Sequence, residues 1–242
     1  MTPEEFRQAL ANQGIQLTDH QMNQFAQYYQ DLVATNQVVN LTRITDEKDV
    51  YLKHFYDSIT GSFALPALRT ESLSLCDIGA GAGFPSLPLK IAFPQLKVTI
   101  VDSLNKRINF LQELVARLNL DNVTLVHSRA EDFSKKGSAH RENYDVVTAR
   151  AVARLSVLSE LCLPAAKVGG IFLAYKAQAA ADELTSATRA IAKLGGQKRN
   201  VYSLELPTKP EPEERNLLII DKLTATPQQY PRRAGTPAKK PL

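Results

Sequence analysis

Apolar and polar positions follow two regimes along the chain. Over residues 1–65 the apolar positions recur at helical spacing, with no strand-like alternation. Thr2-Pro3-Glu4-Glu5 joins a threonine cap, a proline at the first helical position and a capping-box glutamate, and Gly14 closes that helix. Thr18 to Gln21 repeats the box. It opens a second helix to about Ala34, with Met22, Phe25, Tyr29, Leu32 and Val33 on one side. Residues 36–45 read as a connector, and a third helix begins near Asp46. The aromatics of this stretch read as core.

From Leu73 the pattern alternates between strands and helices. It predicts strands near 73–78, 97–102, 123–127, 144–148, 169–175, 198–206 and 216–222. Helices are predicted near 84–93, 104–119, 154–163 and 178–194. Such alternation means parallel strands joined by crossover helices. Only Pro207–Arg215 separates the last two strands, too few residues for a crossover helix, so that pair is expected to be antiparallel. The expected fold is α/β and Rossmann-like: a seven-stranded, mostly parallel sheet with one antiparallel strand, preceded by a helical N-terminal extension. That is the layout of class I S-adenosylmethionine-dependent methyltransferases. The expected divisions are a helical extension over 1–65, the sheet domain over 66–226, and a basic tail over 227–242 packed on or flanking the site.

The totals narrow the class. Hydrophobic residues are 44% and charged residues 22% of 242, enough for a sizeable buried core. The two cysteines, Cys76 and Cys162, lie in apolar runs and read as buried thiols of a reducing cytoplasm rather than a disulfide framework. No apolar run reaches the roughly 18–20 residues of a membrane span. The N-terminus, MTPEEFRQAL, is acidic and helical, unlike a signal peptide. Net charge is +4, but unevenly placed: residues 1–60 hold four bases against eight acids, while 227–242 hold Arg232, Arg233, Lys239 and Lys240 with no acid. A basic tail suits a polyanionic partner, although it also serves solubility alone.

The candidate chemistry centres on one stretch, LSLCDIGAGAGFPSLPLKI over 73–91. It reads as a strand, a glycine loop and a helix, the opening of a nucleotide-type site in an α/β sheet. The glycines fall at Gly79, Gly81 and Gly83, so the third comes one residue early for a dinucleotide fingerprint. Asp77 precedes the loop, and Pro85 and Pro88 remove N–H donors that a pyrophosphate would want. S-adenosylmethionine has no phosphate and carries cationic groups, so a carboxylate and a tight uncharged loop suit it better. A βα turn without a ligand is the plain alternative.

Asp102 ends the second strand, where an acid accepts from ribose hydroxyls; a helix cap is its other reading. Ala130 and Glu131 follow the third strand and are placed to border a base, unless they are simply a surface turn. Arg150 follows the fourth strand, where a cation would hold a carboxylate or a phosphate, or else a surface salt bridge. No G-x-x-x-x-G-K-[ST] loop is present, and His20, His54, His127 and His140 show no zinc spacing with the cysteines, so no metal is expected. Neither cysteine adjoins a proline as a pyrimidine-attacking nucleophile would, and the fourth strand lacks an Asn/Asp-Pro-Pro-aromatic signature. Transfer to an acceptor with a free lone pair remains, guanine N7 being one, and positioning alone would serve it.

Several short motifs together carry a resemblance. They are Asn40-Leu41-Thr42, His54-Phe55-Tyr56-Asp57-Ser58, Asp77–Pro85, Asp102-Ser103 with Lys106-Arg107, Arg129-Ala130-Glu131, Ala149-Arg150-Ala151, Tyr230-Pro231-Arg232-Arg233 and Lys240-Pro241-Leu242. With them the chain resembles, nearly end to end, the RsmG/GidB family of bacterial 16S rRNA guanine-N7 methyltransferases. The resemblance implies cofactor contacts at Gly79, Phe84, Asp102, Ser103, Leu104, Ala130, Glu131 and Arg150; the loop reading adds Asp77 and Gly81. It implies a target guanine in a 16S rRNA loop near the decoding site. The expected partner is 16S rRNA or the small ribosomal subunit, and the composition adds a cytoplasmic location and no membrane partner; a monomer is expected. Arg150, His54 and Asp57 become positioning candidates. Asn40, Arg232, Arg233, Lys239 and Lys240 become RNA-binding candidates. His54 and Asp57 also read as a buried pair joining the extension to the sheet. Ala177 departs from the family pattern, which has glycine after the lysine. A small-molecule methyltransferase, an NAD-linked oxidoreductase and a non-catalytic cofactor-sensing RNA-binding module remain as alternatives.

Overall fold

The computed structural model describes residues 1–177, 180–208 and 210–242, and the side chains of all of these except 180 and 181. The described residues form seven strands: β1 (Ser74–Ile78), β2 (Lys97–Asp102), β3 (Val123–His127), β4 (Tyr144–Arg150), β5 (Ala166–Lys176), β6 (Gly196–Leu206) and β7 (Glu213–Lys222). They make one sheet in the order β3-β2-β1-β4-β5-β7-β6. The first five pair in parallel, while β7 runs antiparallel to both β5 and β6. The mostly parallel sheet with one reversed strand is therefore as the alternation predicts. Strand order reverses beside β1, so the loop after it faces a crevice at the carboxyl ends of the strands.

Side chains alternate between the faces of β1: Leu75 enters one apolar core and Cys76 the other. The first core gathers Val98, Ile100, Leu87 and Leu111 together with Phe6, Phe25 and Phe55 of the N-terminal segment. The helices feeding it are α1 (Pro3–Asn12), α2 (Asp19–Val39), α3 (Ser86–Ala92) and α4 (Asn105–Arg117). On the other face, α5 (Leu155–Cys162) and α6 (Ala180–Lys193) bring Leu158, Ala187 and Ile191 against Ile78, Val101 and Val147. Cys76 and Cys162 are both free and buried. Residues 178 and 179, the predicted start of the helix before β6, lie outside the described residues, as does position 209 in the β6–β7 link. Among the described residues no helix is long and apolar enough to cross a membrane.

Both capping boxes form, with Thr2 accepting from Glu5 N and Thr18 from Gln21 N. Helix α2 departs from expectation in two ways. It continues to Val39, four residues into the expected connector, because neither glycine nor proline interrupts it; Asn40 ends it in a left-handed conformation at φ 53°, and 40–45 form the connector. Its buried face is Gln21, Gln24, Phe25, Tyr28, Asp31 and Leu32, rotated from the apolar stripe read in the sequence. The buried polar groups find partners that a sequence does not display. Gln21 donates to Ile91 O at 2.7 Å, Gln24 donates to Leu118 O at 2.7 Å, and Asp31 pairs with Arg117 at 2.7 Å.

The segment opened by Asp46 is helical but wider than expected, with Val50–Tyr56 in π-helical form. Such a stretch changes the carbonyl pattern of the helix and recurs at functional sites. Here it carries His54 to the carboxyl end of the sheet.

Candidate active site

The glycine loop is braced from two sides. Gly79, Gly81 and Gly83 all take positive φ, at 77°, 62° and 100°. At Gly83, with φ 100°, a Cβ would lie 2.7 Å from both Leu87 Cδ1 and the Tyr28 hydroxyl, so any side chain there is strained and must displace one or both. That hydroxyl donates to Ala82 O at 2.6 Å, fastening the loop to α2. From the other side, Gly81 N donates to Asp102 Oδ2 at 3.1 Å.

Asp77 lies beneath the loop, fully buried, and lines neither of the two cavities described next. Its Oδ2 accepts from Ser86 N at 3.1 Å at the start of α3, and its Oδ1 has no hydrogen-bond partner. Burial pushes its carboxyl up to about 7, against the opposing pull of the Ser86 hydrogen bonds.

Two cavities share Gly79, Arg107 and Ala151 as walls. The larger, about 690 Å³, brings together Gly79, Gly81, Phe84, His54, Asp57 and Arg150 of the predicted residues. Arg150 stands at the end of β4 and donates from Nη1 to Asp57 Oδ2 at 2.9 Å. The same nitrogen lies 3.4 Å from the carbonyls of Lys53 and His54 in the π-helical turn. Its guanidinium carbon stands 5.2 Å from the centre of the Phe84 ring. Phe84 in turn stacks with His54 at 4.5 Å and Tyr28 at 5.4 Å. Thr42 Oγ1 and His54 Nε2 are 2.9 Å apart. Burial, and then the Arg150 charge, hold the His54 imidazole down at about 3, so it is neutral at physiological pH. Arg215 Nε comes within 3.2 Å of Asp57 Oδ1, in ion-pair range but off the hydrogen-bond line.

The smaller cavity, about 480 Å³, brings together Asp102, Ser103, Ala130 and Glu131 with Gly79. Asp102 does two jobs. Its Oδ1 accepts from Leu104 N at 2.9 Å before α4, while its Oδ2 takes Gly81 N and, at 3.2 Å, Arg107 Nη1. Leu104 contributes that backbone N–H, but its side chain is exposed and lines neither cavity.

The RNA candidates separate. Asn40 is exposed at the end of α2, outside both cavities. Arg233, Lys239 and Lys240 are exposed on the tail. Arg232 is not free: its side chain donates to both oxygens of Glu160 at 2.6–3.1 Å, and its backbone N to Oε1 at 2.8 Å. Glu160 is fully buried, so this arginine is held as a structural counter-ion.

Some contributors carried signals that sequence reasoning passed over. Tyr28 follows Phe25 by three and precedes Leu32 by four, the spacing of a shared helix face. Glu160 is the only charge in the apolar helix LSVLSELC, and a buried carboxylate requires a partner. Arg215 and Glu183, which also line the larger cavity, carried no local signal. Lys176, just before the departure at Ala177, donates to Ala153 O at 2.7 Å and pairs with Glu183 at 2.6 Å.

Comparison with known proteins decides the family. The sequence model of GidB, described as rRNA small subunit methyltransferase G, matches residues 21–217. The chain belongs to the GidB family. A relative from Limosilactobacillus fermentum, named ribosomal RNA small subunit methyltransferase G, is 70% identical over all 242 residues and 99% of its own length. One of the same name from Limosilactobacillus reuteri is 67% identical over the whole of both chains. Among solved structures, a 16S rRNA (adenine(1408)-N(1))-methyltransferase mutant from Catenulisporales acidiphilia superposes with TM-score 0.51 at 18% identity, covering 69% of this chain and 93% of that one. M. jannaschii TYW2 in complex with AdoMet superposes with TM-score 0.53 at 14% identity, covering 69% and 77%. At such identities these two speak for the fold, which is the class I methyltransferase fold.

As a GidB-family member the protein is a methyltransferase whose cofactor is S-adenosylmethionine. The residues present fit that group. Asp102 retains acceptor capacity beyond its three hydrogen bonds for a ribose diol, and the loop offers backbone without side chains at Gly79 and Gly81. The stacked Phe84 and His54 rings add an aromatic wall to the larger cavity. Among the described residues no group of three or more His, Cys, Asp or Glu could hold a metal ion.

Proposed function

We propose that the protein methylates N7 of one guanine of 16S rRNA near the decoding site, working as a cytoplasmic monomer without a membrane partner. The observation that carries this reading is the larger cavity. It shares the loop wall with the nucleoside-sized cavity and is lined by Lys53, Arg107, Arg150, Lys176 and Arg215 against Asp57, Glu183 and Glu213. Each of these cations has a carboxylate in ion-pair range, so the lining offers fixed, paired guanidinium and ammonium donors beside an aromatic stack, a polar and aromatic surface that suits an RNA nucleotide.

When bound, S-adenosylmethionine supplies an electrophilic methyl group on a sulfonium. The chain contributes positioning. Guanine N7 already has its lone pair, so no residue needs to remove a proton. His54 is neutral and engaged with Thr42, which suits stacking rather than proton transfer. Arg150 is held in place by Asp57 and two backbone carbonyls, so its charge is compensated where the methylated base becomes cationic.

The test is chemical. In 16S rRNA from cells lacking the protein, borohydride and aniline should no longer cleave at one N7-methylguanine, and the purified enzyme with the methyl donor should restore the cleavage. An unchanged cleavage pattern would return the reading to a small-molecule acceptor. Sedimentation of the purified protein should give a mass of about one chain, 26.8 kDa.

A further inference from the structure

The segment 227–242 folds back across the other face of the sheet and is fastened at several points. Arg141 donates to Thr226 O at 2.7 Å and to Tyr230 O at 2.6 Å. Arg232 is clamped on the buried Glu160 and also donates to Lys240 O at 2.8 Å. Gly235 N donates to Glu131 Oε1 at 2.8 Å. The strap so held places Gly235, Pro237 and Ala238 in the wall of the smaller cavity, together with Asp102, Ala130 and Glu131.

We propose that residues 235–238 form part of the binding site for the adenine nucleoside of the methyl donor, making the tail a cofactor strap. This rests on reading the smaller cavity as the donor's nucleoside site. Three features support it. The inward residues of the strap are uncharged and small, and with Val157 and Leu161 they make an apolar surface of the kind a purine face requires. Gly235 lines the cavity and takes φ 82°, with nothing within 4 Å of where a Cβ would stand, so the strap is not packed tight at this point. Glu131 joins the strap to the turn after β3, so one carboxylate ties two walls of the cavity together. A tail built only to attract phosphates would not need a buried carboxylate anchor. Its exposed cations, Arg233, Lys239 and Lys240, would suffice.

Hydrogen exchange on the full wild-type chain tests this directly. S-adenosylhomocysteine and 5′-methylthioadenosine should each slow exchange across 233–240 at least tenfold, and methionine should not. Calorimetry runs beside it. If S-adenosylhomocysteine binds while 233–240 exchange unchanged, the strap proposal is overturned but the cofactor reading stands. If it does not bind at all, the reading of the cavity fails and the proposal with it. Ala238→Trp provides a second arm, since Ala238 is exposed and the fold should tolerate the change. It should raise the Kd for S-adenosylhomocysteine at least tenfold with no change in Tm; an unchanged Kd would overturn the proposal.

Discussion

Arg150 and Asp57 meet at 2.9 Å across the boundary between the sheet and the N-terminal segment, with side chains only 11% and 6% exposed. An arginine at the end of β4 is thereby neutralised by a carboxylate 93 residues earlier in the chain. At about 5 Å, with an effective dielectric near 20, an unpaired guanidinium would oppose a cation forming on the base by about 3 kcal/mol. Asp57→Asn should therefore lower kcat by about 100-fold while changing the cofactor Kd by less than about threefold, measured well below Tm. Loss of one partner from a buried pair should also cost about 3 kcal/mol of stability, seen as a lower Tm. A variant with unchanged kcat and a lowered Tm would make the pair purely structural.

The pH dependence of stability should carry two opposed contributions. His54 is depressed to about 3 when folded and returns to about 6.5 when unfolded. The unfolded chain therefore binds the extra proton as pH falls below 6.5, and stability drops by about 2 kcal/mol by pH 5. Asp77 is raised to about 7 when folded, from 3.8. There the folded chain binds the extra proton, so its contribution is fullest below pH 3.8 and is lost as pH rises to 7. Denaturant melts of the wild type and Asp77→Asn, compared from pH 4 to pH 8, should show the wild type losing ground by up to about 4 kcal/mol. A constant difference between them would mean that Asp77 keeps an ordinary carboxyl pKa in the folded chain. Rates between pH 6 and 8 should show no inflection from His54.

The glycine loop should discriminate sharply between neighbouring positions. Gly81→Ala meets no atom within 4 Å and should cost only the strain of φ 62°, about 1 kcal/mol. Gly83→Ala drives a Cβ into Leu87 and the Tyr28 hydroxyl, and should cost about 3 kcal/mol or leave no folded protein. At about 3 °C per kcal/mol for a chain of this size, calorimetric Tm values should separate the two by several degrees. Equal Tm values would show that Tyr28 and Leu87 move aside freely.

What was legible in the sequence was local or periodic. The strand periods, the capping boxes of Thr2 and Thr18 and the three glycines each express one segment's own physics, and each reappears in the structure. The reversed strand was legible because a short link cannot cross over. Long-range pairing was not. Nothing near Asp57 announces Arg150 or Arg215, and nothing near Arg232 announces Glu160. The rotated face of α2 belongs with these: Gln21, Gln24 and Asp31 are buried because Ile91 O, Leu118 O and Arg117 happen to face them. Asp77 was legible as a special acid before a glycine loop, but its burial under that loop follows from packing of α3.

The tail makes the last distinction testable. Arg232 and Arg233 are adjacent in sequence and equal in charge, yet one is clamped on Glu160 and the other is exposed. Cations that meet phosphate directly reduce the salt dependence of binding when removed, by about 0.7 in slope per contact on single-stranded RNA. Replacing Arg233, Lys239 and Lys240 together with alanine should therefore flatten the slope of log Kd against log salt by about 2 and leave Tm unchanged. Arg232→Ala should do the reverse, because it leaves the buried Glu160 carboxylate without its counter-charge, keeping only the backbone N–H of residue 232. It should cost about 3 kcal/mol of stability and leave the salt slope nearly intact. A slope change from Arg232→Ala as large as that from Arg233→Ala would show that the clamp opens when RNA binds, and would return Arg232 to the phosphate-binding set.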